Sequence, residues 1–324
     1  MAQFILIGIC AGAAAALLFA SLASGSAPAI LLAQLAPLPI LIAGLGWSHW
    51  AALIAAVVAA LGLAAYFSGF FFFIFLLSIG LPAWWLSYLT LLARPSDNGS
   101  GAVEWYPPGR LALWATVLGA AVTVIGVIKL GSADVGFEAM LKAGFERFLR
   151  LQTGARGGEP LKLPGISDPD GFLRLLVLVI PPAAAATASI TNVINLWLAG
   201  RVAGMSGRLP RPWPDLGDLR CPAWIAAVFV AALAGSFLTD LPGAVCRILA
   251  ASLLVAYVLV GFSVLHALTR HLHSRVIVLA SAYAAVLVFQ WPTLLVVLLG
   301  LTDPMFDLRA RAAAKRGPPQ LPMT

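Results

Sequence analysis

Five hydrogen-bonding side chains follow a proline pair in the sixth apolar stretch of the sequence. Thr187, Thr191 and Asn195 recur at i, i+4 and i+8, and Ser189 and Asn192 lie beside that stripe. Unpaired polar groups are costly in lipid, and prolines free backbone carbonyls, so this helix face is suited to binding a substrate inside a bundle. The alternative is that the same side chains hold the helix to its neighbours. The sequence leaves both interpretations open, and our hypothesis is that these five side chains bind a substrate.

The motifs of the common soluble enzymes are absent from the sequence. It has no Walker A loop, no G-x-S-x-G elbow, no H-E-x-x-H and no paired-cysteine motif. Three histidines near Arg270 lack a carboxylate or thiolate nearby in sequence, which favours a loop in the headgroup region over a metal site. The cysteines lie far apart in apolar surroundings, at Cys10, Cys221 and Cys246. We therefore predict no catalytic residues, no cofactor and no bound metal.

Small residues occupy every fourth position of the first apolar stretch. The stripe comprises Gly8, Gly12, Ala16, Ala20 and Ser24. A small-xxx-small face allows two helix backbones to approach closely. It serves either packing within the protein or docking to a partner membrane subunit, and both interpretations stay open.

The composition places these features in a membrane protein. Apolar residues make up 61% of the chain, charged residues 10%, and the mean hydropathy is +0.97. No Lys, Arg, Asp or Glu occurs before Arg94. Such a chain is typical of polytopic membrane proteins, in which charges are confined to loops. The net charge of +7 is concentrated in short clusters beside apolar stretches, which favours a topogenic signal over binding of nucleic acid.

Eight to ten membrane segments are predicted in one all-α bundle. A crossing of about 30 Å of hydrocarbon takes about 20 apolar residues. Candidate segments are 4–21, 28–46, 50–67, 69–93, 111–130, 172–201, 222–238, 243–269 and 276–301. The pair Pro181 and Pro182 either kinks the sixth segment or opens a new helix within it. The last segment is either a single crossing or a hairpin of two short helices that turns at 290–292.

The basic clusters predict the orientation. They lie at 201–220, 270–275 and 309–316, and cytoplasmic loops are enriched in Lys and Arg. All three share one side only if 276–301 is a hairpin, which gives ten segments with both termini in the cytoplasm. A single crossing gives nine segments and puts one cluster on the wrong side. In the ten-segment topology, the long segment 132–170 is expected outside the cytoplasm.

The segment 132–170 contains an amphipathic helix. Its apolar positions recur at three-to-four spacing: Phe137, Met140, Leu141, Phe145, Phe148 and Leu149. The opposite face carries two predicted i,i+4 ion pairs, Glu138 with Lys142 and Glu146 with Arg150. We expect this helix to lie on the membrane or on the bundle as a lid, and a lipid-sensing role is the alternative.

The C-terminal end resembles the closing signature of a bacterial family. The residues that carry the resemblance follow the last apolar stretch: Gly300, Leu301, Thr302, Asp303, Phe306, Asp307 and Arg309. They look like the terminal motif of the YybS-like membrane proteins, a family of unknown function in which Trp is common where Met305 stands here. That family is distantly similar to the substrate-binding S components of energy-coupling-factor transporters, whose first helix docks a coupling subunit through small residues. The resemblance implies binding or uptake without an ATPase of the protein's own.

The chain is expected to form one polytopic domain over 1–308, followed by a basic, disordered cytoplasmic tail over 309–324. We expect a multi-pass protein of a bacterial inner membrane. The favoured function is a transporter-like or substrate-binding membrane subunit, and the alternative is a non-transporting scaffold or regulator. Its predicted partners are the lipid bilayer, another membrane subunit and a small-molecule ligand.

Because Asp303 and Asp307 form a like-charged i,i+4 pair, we also expect a basic partner for them from another cytoplasmic loop.

Overall fold

The computed structural model describes residues 2–95, 103–130, 137–153 and 165–314. Over these residues the chain is helical apart from loops and one short hairpin. Seven helical stretches are long and apolar enough to cross a membrane, and three shorter apolar helices accompany them. The predicted all-α polytopic bundle is confirmed, and its apolar segments number ten when the three short helices of the described chain are included.

The first part of the chain contains four candidate membrane spans. Its helices are α1 (Ala2–Ala20), α2 (Ala27–Gln34), α3 (Pro37–Gly46), α4 (His49–Tyr66), α5 (Gly69–Phe75) and α6 (Leu81–Leu91). Two of these apolar stretches are interrupted, and a proline follows each interruption. A two-residue break separates α2 from α3, which begins at Pro37. A π-helical turn separates α5 from α6, whose second residue is Pro82. Helix α4 begins at His49 because Ser48 Oγ accepts the Trp50 N–H at 3.2 Å.

The second part begins with an antiparallel hairpin of β1 (Ala93–Pro95) and β2 (Val103–Trp105). The helices that follow are α7 (Pro108–Leu130), α8 (Phe137–Thr153), α9 (Pro169–Met205), α10 (Trp224–Gly235), α11 (Asp240–Leu268), α12 (Arg275–Phe289), α13 (Pro292–Phe306) and α14 (Leu308–Ala314). The predicted tail therefore begins as a helix, α14, and its residues 315–324 lie outside the described residues.

Helix α9 is longer than a membrane crossing needs. Its 37 residues extend about 55 Å at 1.5 Å per residue. Asp168 caps it by accepting the Gly171 N–H at 2.9 Å, and the helix continues through Pro181 and Pro182. The two prolines thus lie inside one helix, and no new helix opens at Pro182.

Helices α1 and α4 pack in parallel through the small-residue stripe. A Cβ added at Gly8 would lie 2.7 Å from Ile54 Cγ2, and one at Gly12 would lie 2.6 Å from the Ala55 carbonyl oxygen. Residue numbers rise together along both helices, so α1 begins at the same end of the bundle as α4. The helices α2 and α3 return the chain between them.

The segment 276–301 is a pair of short helices. Helix α12 ends at Gln290, which has a φ of 59°, and α13 starts again at Pro292. Helix α13 crosses α11 where two glycines meet, since a Cβ at Gly300 would lie 3.4 Å from Gly261 Cα. Beyond this crossing Arg309 reaches the Leu219 carbonyl, which also accepts the Ser263 hydroxyl. The chain thus returns to the end of the bundle at which α11 finishes.

One end of the bundle collects the arginine-rich loops, and we call it the basic end. Arg208 lies over the Trp47 ring, 4.5 Å from its centroid, and Arg211 donates to the carbonyls of Thr90 and Tyr106. These contacts bring together the loop 47–48, the residues 103–107 and the loop 206–223. Helix α1 begins at this end and α14 ends there. Both ends of the described chain therefore lie at the same end of the bundle, as a topology with ten segments requires.

Helix α8 covers the opposite end. Leu141 is buried there in a cluster with Val177, Ala244 and Ile248. One predicted ion pair forms, because Arg150 lies 2.7 Å from Glu146 Oε1. The other predicted pair is wrong, since each of its members binds a different helix. The pairs are Lys142 with Asp170 at 2.7 Å and Glu138 with Arg247 at 3.4 Å. These cross-links fix α8 on α9 and α11, in the manner of a lid.

Candidate functional site

A cavity of about 510 Å³ lies between α7, α10 and α11. Helix α10 has 12 residues, about 18 Å of helix, and it packs mainly on α11. A gap therefore remains on the side that faces α7. The walls are mostly apolar and include Leu113, Val117, Ile225, Val228, Leu249 and Leu253. Such a space accommodates the apolar body of a small molecule.

One polar atom in the cavity wall lacks a partner. Ser252 on α11 is 1% exposed, and its Oγ makes no hydrogen bond within the described part of the chain. A helical serine commonly donates to the carbonyl four residues earlier, as Ser87 does to Ala83 at 2.8 Å. A buried hydroxyl without a partner costs about 1–3 kcal/mol. A hydrogen-bonding group that reached the Oγ atom from the cavity would remove that cost.

Polar groups also line the cavity toward the basic end. Tyr106 OH accepts the Trp114 indole N–H at 3.1 Å, and both side chains border the cavity. Arg110 is exposed at the same rim and forms no ion pair with any described residue. The site thus combines a long apolar wall, a central hydroxyl and a cationic rim. The sequence interpretation missed Ser252 and Arg110, because a single serine or arginine has no spacing pattern that separates a binding role from a packing role.

The predicted substrate-binding stripe on α9 meets two neighbouring helices. Asn195, which is 1% exposed, donates from Nδ2 to the Gln34 and Thr191 carbonyls at 2.8 Å each. Thr191 Oγ1 donates to Gln34 Oε1 at 3.0 Å. These bonds tie α9 to the end of α2. The Asn195 Oδ1 atom is buried without a partner among the described residues.

The rest of the stripe faces α7 or the outside. Asn192 Nδ2 donates to the Ala115 carbonyl at 3.0 Å. Ser189 Oγ bonds the Ala185 carbonyl at 2.7 Å and lies 3.3 Å from the Thr116 carbonyl of α7. Thr187 is exposed on the surface of the bundle. The structure therefore brings four of the five side chains into helix–helix contacts and leaves Thr187 apart from them.

The small-residue stripe on α1 faces α4 at Gly8 and Gly12, as described above. Ala16 and Ala20 are partly buried and pack against a core cluster that includes Ala55, Ala59 and Leu63 of α4. The opposite face of α1 exposes large apolar side chains, including Leu6 at 64% and Leu17 at 73%. Lipid suits such a surface.

The terminal motif forms a buried ionic clamp. Arg309 Nε lies 3.0 Å from Asp303 Oδ2, and both side chains are at most 7% exposed. The guanidinium also donates to the carbonyls of Gly217 and Leu219 at 2.7 and 2.9 Å. Burial lowers the pKa of Arg309 more than the nearby Asp303 raises it. The expectation of a basic partner from another loop is wrong for Asp303, because its partner Arg309 belongs to the terminal motif itself. The loop 206–223 instead supplies the two carbonyls that accept from Arg309.

No group of three His, Cys, Asp or Glu side chains in the described part of the chain is placed to hold a metal ion. Of the three histidines near Arg270, His266 instead lies 3.1 Å from the Tyr283 hydroxyl. Burial raises the pKa of the Cys221 thiol to about 11, so this thiol stays protonated at neutral pH.

A bundle of long apolar helices with charges gathered in its end loops defines an integral, multi-pass membrane protein. The family described as "predicted membrane protein (DUF2232)" matches residues 13–304, and the chain belongs to this family. The match confirms the family recognised at the terminal motif and extends it over nearly the whole chain. No curated protein and no solved structure matches the chain.

Proposed function

We propose that the protein is a substrate-binding membrane subunit, without an ATPase of its own, that holds a small amphipathic molecule in the cavity between α7, α10 and α11. The observation that carries the proposal is the unpaired Ser252 hydroxyl in the wall of an apolar cavity of about 510 Å³. Ligand pockets commonly have volumes of about 300–1,000 Å³ and a few polar groups that fix orientation. Binding rather than catalysis fits the described lining, which contains neither His, Cys, Asp nor Glu.

The polar groups of the cavity define the class of ligand. Arg110 and Tyr106 at the rim suit an anionic or hydrogen-bonding head, and the apolar walls suit a hydrocarbon or aromatic body. The Ser252 hydroxyl suits a single polar group within that body. We further propose that the basic end faces the cytoplasm of a bacterial inner membrane, because cytoplasmic loops are enriched in arginine.

The test is native mass spectrometry of the protein released from mild detergent, with one cavity-filling variant. Val228 lines the cavity on α10, whereas Val230 on the same helix is 59% exposed and points away from it. Val228→Trp should eliminate a retained small molecule, because the indole occupies the space. Val230→Trp should retain it as the wild type does. Equal retention in both variants, or no retained molecule in the wild type, would refute the proposal.

A second location for the ligand is the polar stripe of α9. The observation in its favour is the buried Asn195 Oδ1, which has an unused acceptor within the described residues. The alternative function, a scaffold or regulator that docks a membrane partner through the small-residue stripe, predicts a co-purified protein with no small molecule. The same mass spectra distinguish these outcomes.

A further inference from the structure

Arg211 is buried without a counter-ion at the basic end. Its side chain is 5% exposed and lies between the end of α6 and the β2 strand. The Nη1 atom donates to the carbonyls of Thr90 and Tyr106 at 3.1 and 3.3 Å, and the guanidinium carbon lies 5.8 Å from the centroid of the Trp105 ring. These partners are neutral, so they hold the group in place without compensating its charge.

Two other arginines with buried or partly buried side chains have an acidic partner, which Arg211 lacks among the described residues. Arg309 is about as buried and pairs with Asp303, and the partly buried Arg247 pairs with Glu138. No carboxylate of the described chain pairs with Arg211, and its Nε is buried without a hydrogen bond. Burial accordingly lowers the pKa of Arg211, with no acidic side chain acting against it. A buried charge without a counter-ion is expensive, and an anion supplied from outside would reduce that cost.

A separate cavity of about 290 Å³ adjoins this arginine. Arg201, near the end of α9, is exposed and lines the same cavity. Asp215 is the only acidic residue among the described lining, and Arg270 already holds it in a salt bridge. The cavity therefore presents two arginines whose charges have no paired carboxylate among the described residues.

The remaining walls are apolar and aromatic. The Trp213 ring occupies the space beside Gly200 where a Cβ would otherwise lie, so the ring packs directly on the backbone of α9. Trp197 and Leu196 complete that wall. Leu111 and Ala112 of α7 line this cavity, whereas Arg110, Leu113 and Trp114 line the larger one. The two cavities thus open on different faces of α7.

We propose that this cavity is an anion site, in which Arg211 and Arg201 bind a phosphate or carboxylate group and the tryptophan wall contacts the apolar part of the same molecule. A guanidinium offers several N–H donors in a planar arrangement that matches both anions. The source is either the headgroup of an anionic lipid or a soluble anion. This site is independent of the ligand proposed for the larger cavity.

The test measures thermal stabilisation of the purified full-length protein in a neutral detergent. The probes are phosphatidylglycerol, inorganic phosphate and, as the uncharged reference, phosphatidylcholine. Stabilisation by phosphatidylglycerol alone identifies a lipid headgroup, and stabilisation by phosphate at similar concentration identifies a soluble anion. If neither anion stabilises the wild type more than phosphatidylcholine does, the proposal is refuted.

Three variants assign the effect to the site. Arg201→Gln should weaken binding of the effective anion by about tenfold or more, which corresponds to about 1.4 kcal/mol. Arg208→Gln is the matched control, because Arg208 is an exposed arginine of the adjacent loop that does not line the cavity, and it should bind as the wild type does. Arg211→Gln should also weaken binding, with little loss of stability without anion, since it removes a buried charge. If Arg201→Gln and Arg208→Gln bind alike, the site is refuted even where Arg211→Gln fails to fold.

Discussion

The clamp between Asp303 and Arg309 predicts a large effect from a small change. Asp303→Asn keeps the shape of the side chain and removes its charge. Arg309, 7% exposed, would then lose the carboxylate 3.0 Å from its Nε and keep only the carbonyls of Gly217 and Leu219. Removal of one member of a buried ion pair typically costs about 3–5 kcal/mol, because the remaining charge stays buried. We expect a loss at the lower end of that range, since the two carbonyl bonds persist.

The assay is equilibrium unfolding in mixed micelles, followed by tryptophan fluorescence. Glu104→Gln is the control, because Glu104 pairs with Arg94 in an exposed pair at 2.8 Å and exposed pairs contribute little. The double variant Asp303→Leu with Arg309→Met should be more stable than the sum of the single changes predicts, since neither charge is left buried. The reasoning fails if Asp303→Asn is as mild as Glu104→Gln, or if the effects of the two single changes are simply additive.

Three further predictions concern the packing and the topology. Gly12→Leu should unfold or strongly destabilise the protein, because the new Cβ would meet the α4 backbone, whereas Ala13→Leu on the exposed face should be tolerated. If the Gly12→Leu protein stays folded and loses only a captured partner, the stripe docks a partner membrane subunit instead. Asn195→Ala should lower the free energy of unfolding by about 0.6 kcal/mol and leave ligand retention unchanged in native mass spectra, while the opposite result would place the site on α9. In a cysteine-free background, Ser274→Cys should react with an impermeant thiol reagent only from the cytoplasm and Gly144→Cys only from outside; the reverse pattern contradicts the orientation.

The sequence alone was sufficient for the membrane class and for the approximate positions of the long apolar helices. Both depend on properties local to the chain, since about 20 apolar residues are needed in any crossing and charges stay in the loops. For the segment 276–301 the sequence left two alternatives open, a single crossing and a hairpin, and the structure contains the paired helices α12 and α13. The basic clusters favoured the hairpin, because they share a side only if the chain turns at 290–292. The ion pair of Glu146 with Arg150 was predictable because both residues lie on one turn of a single helix.

The contacts between helices were decided only by the tertiary structure. The spacing of Gly8 and Gly12 predicted a close contact, and the structure identified α4 as the partner. The polar stripe of α9 was visible as a periodicity, whereas its partners Gln34 and Ala115 lie far away in sequence. Glu138 pairs with Arg247 for the same reason, because a neighbouring helix offered a closer charge than its own did.

The two cavities and the isolated Arg211 have no counterpart in any local pattern. A cavity arises where a short helix such as α10 fails to fill the space between its neighbours, and that depends on the arrangement of several helices at once. A buried charge without a counter-ion is likewise defined by what is absent around it in three dimensions. Hydropathy and spacing along the chain determined that these segments are membrane helices, and the packing of their faces determined where the two cavities lie.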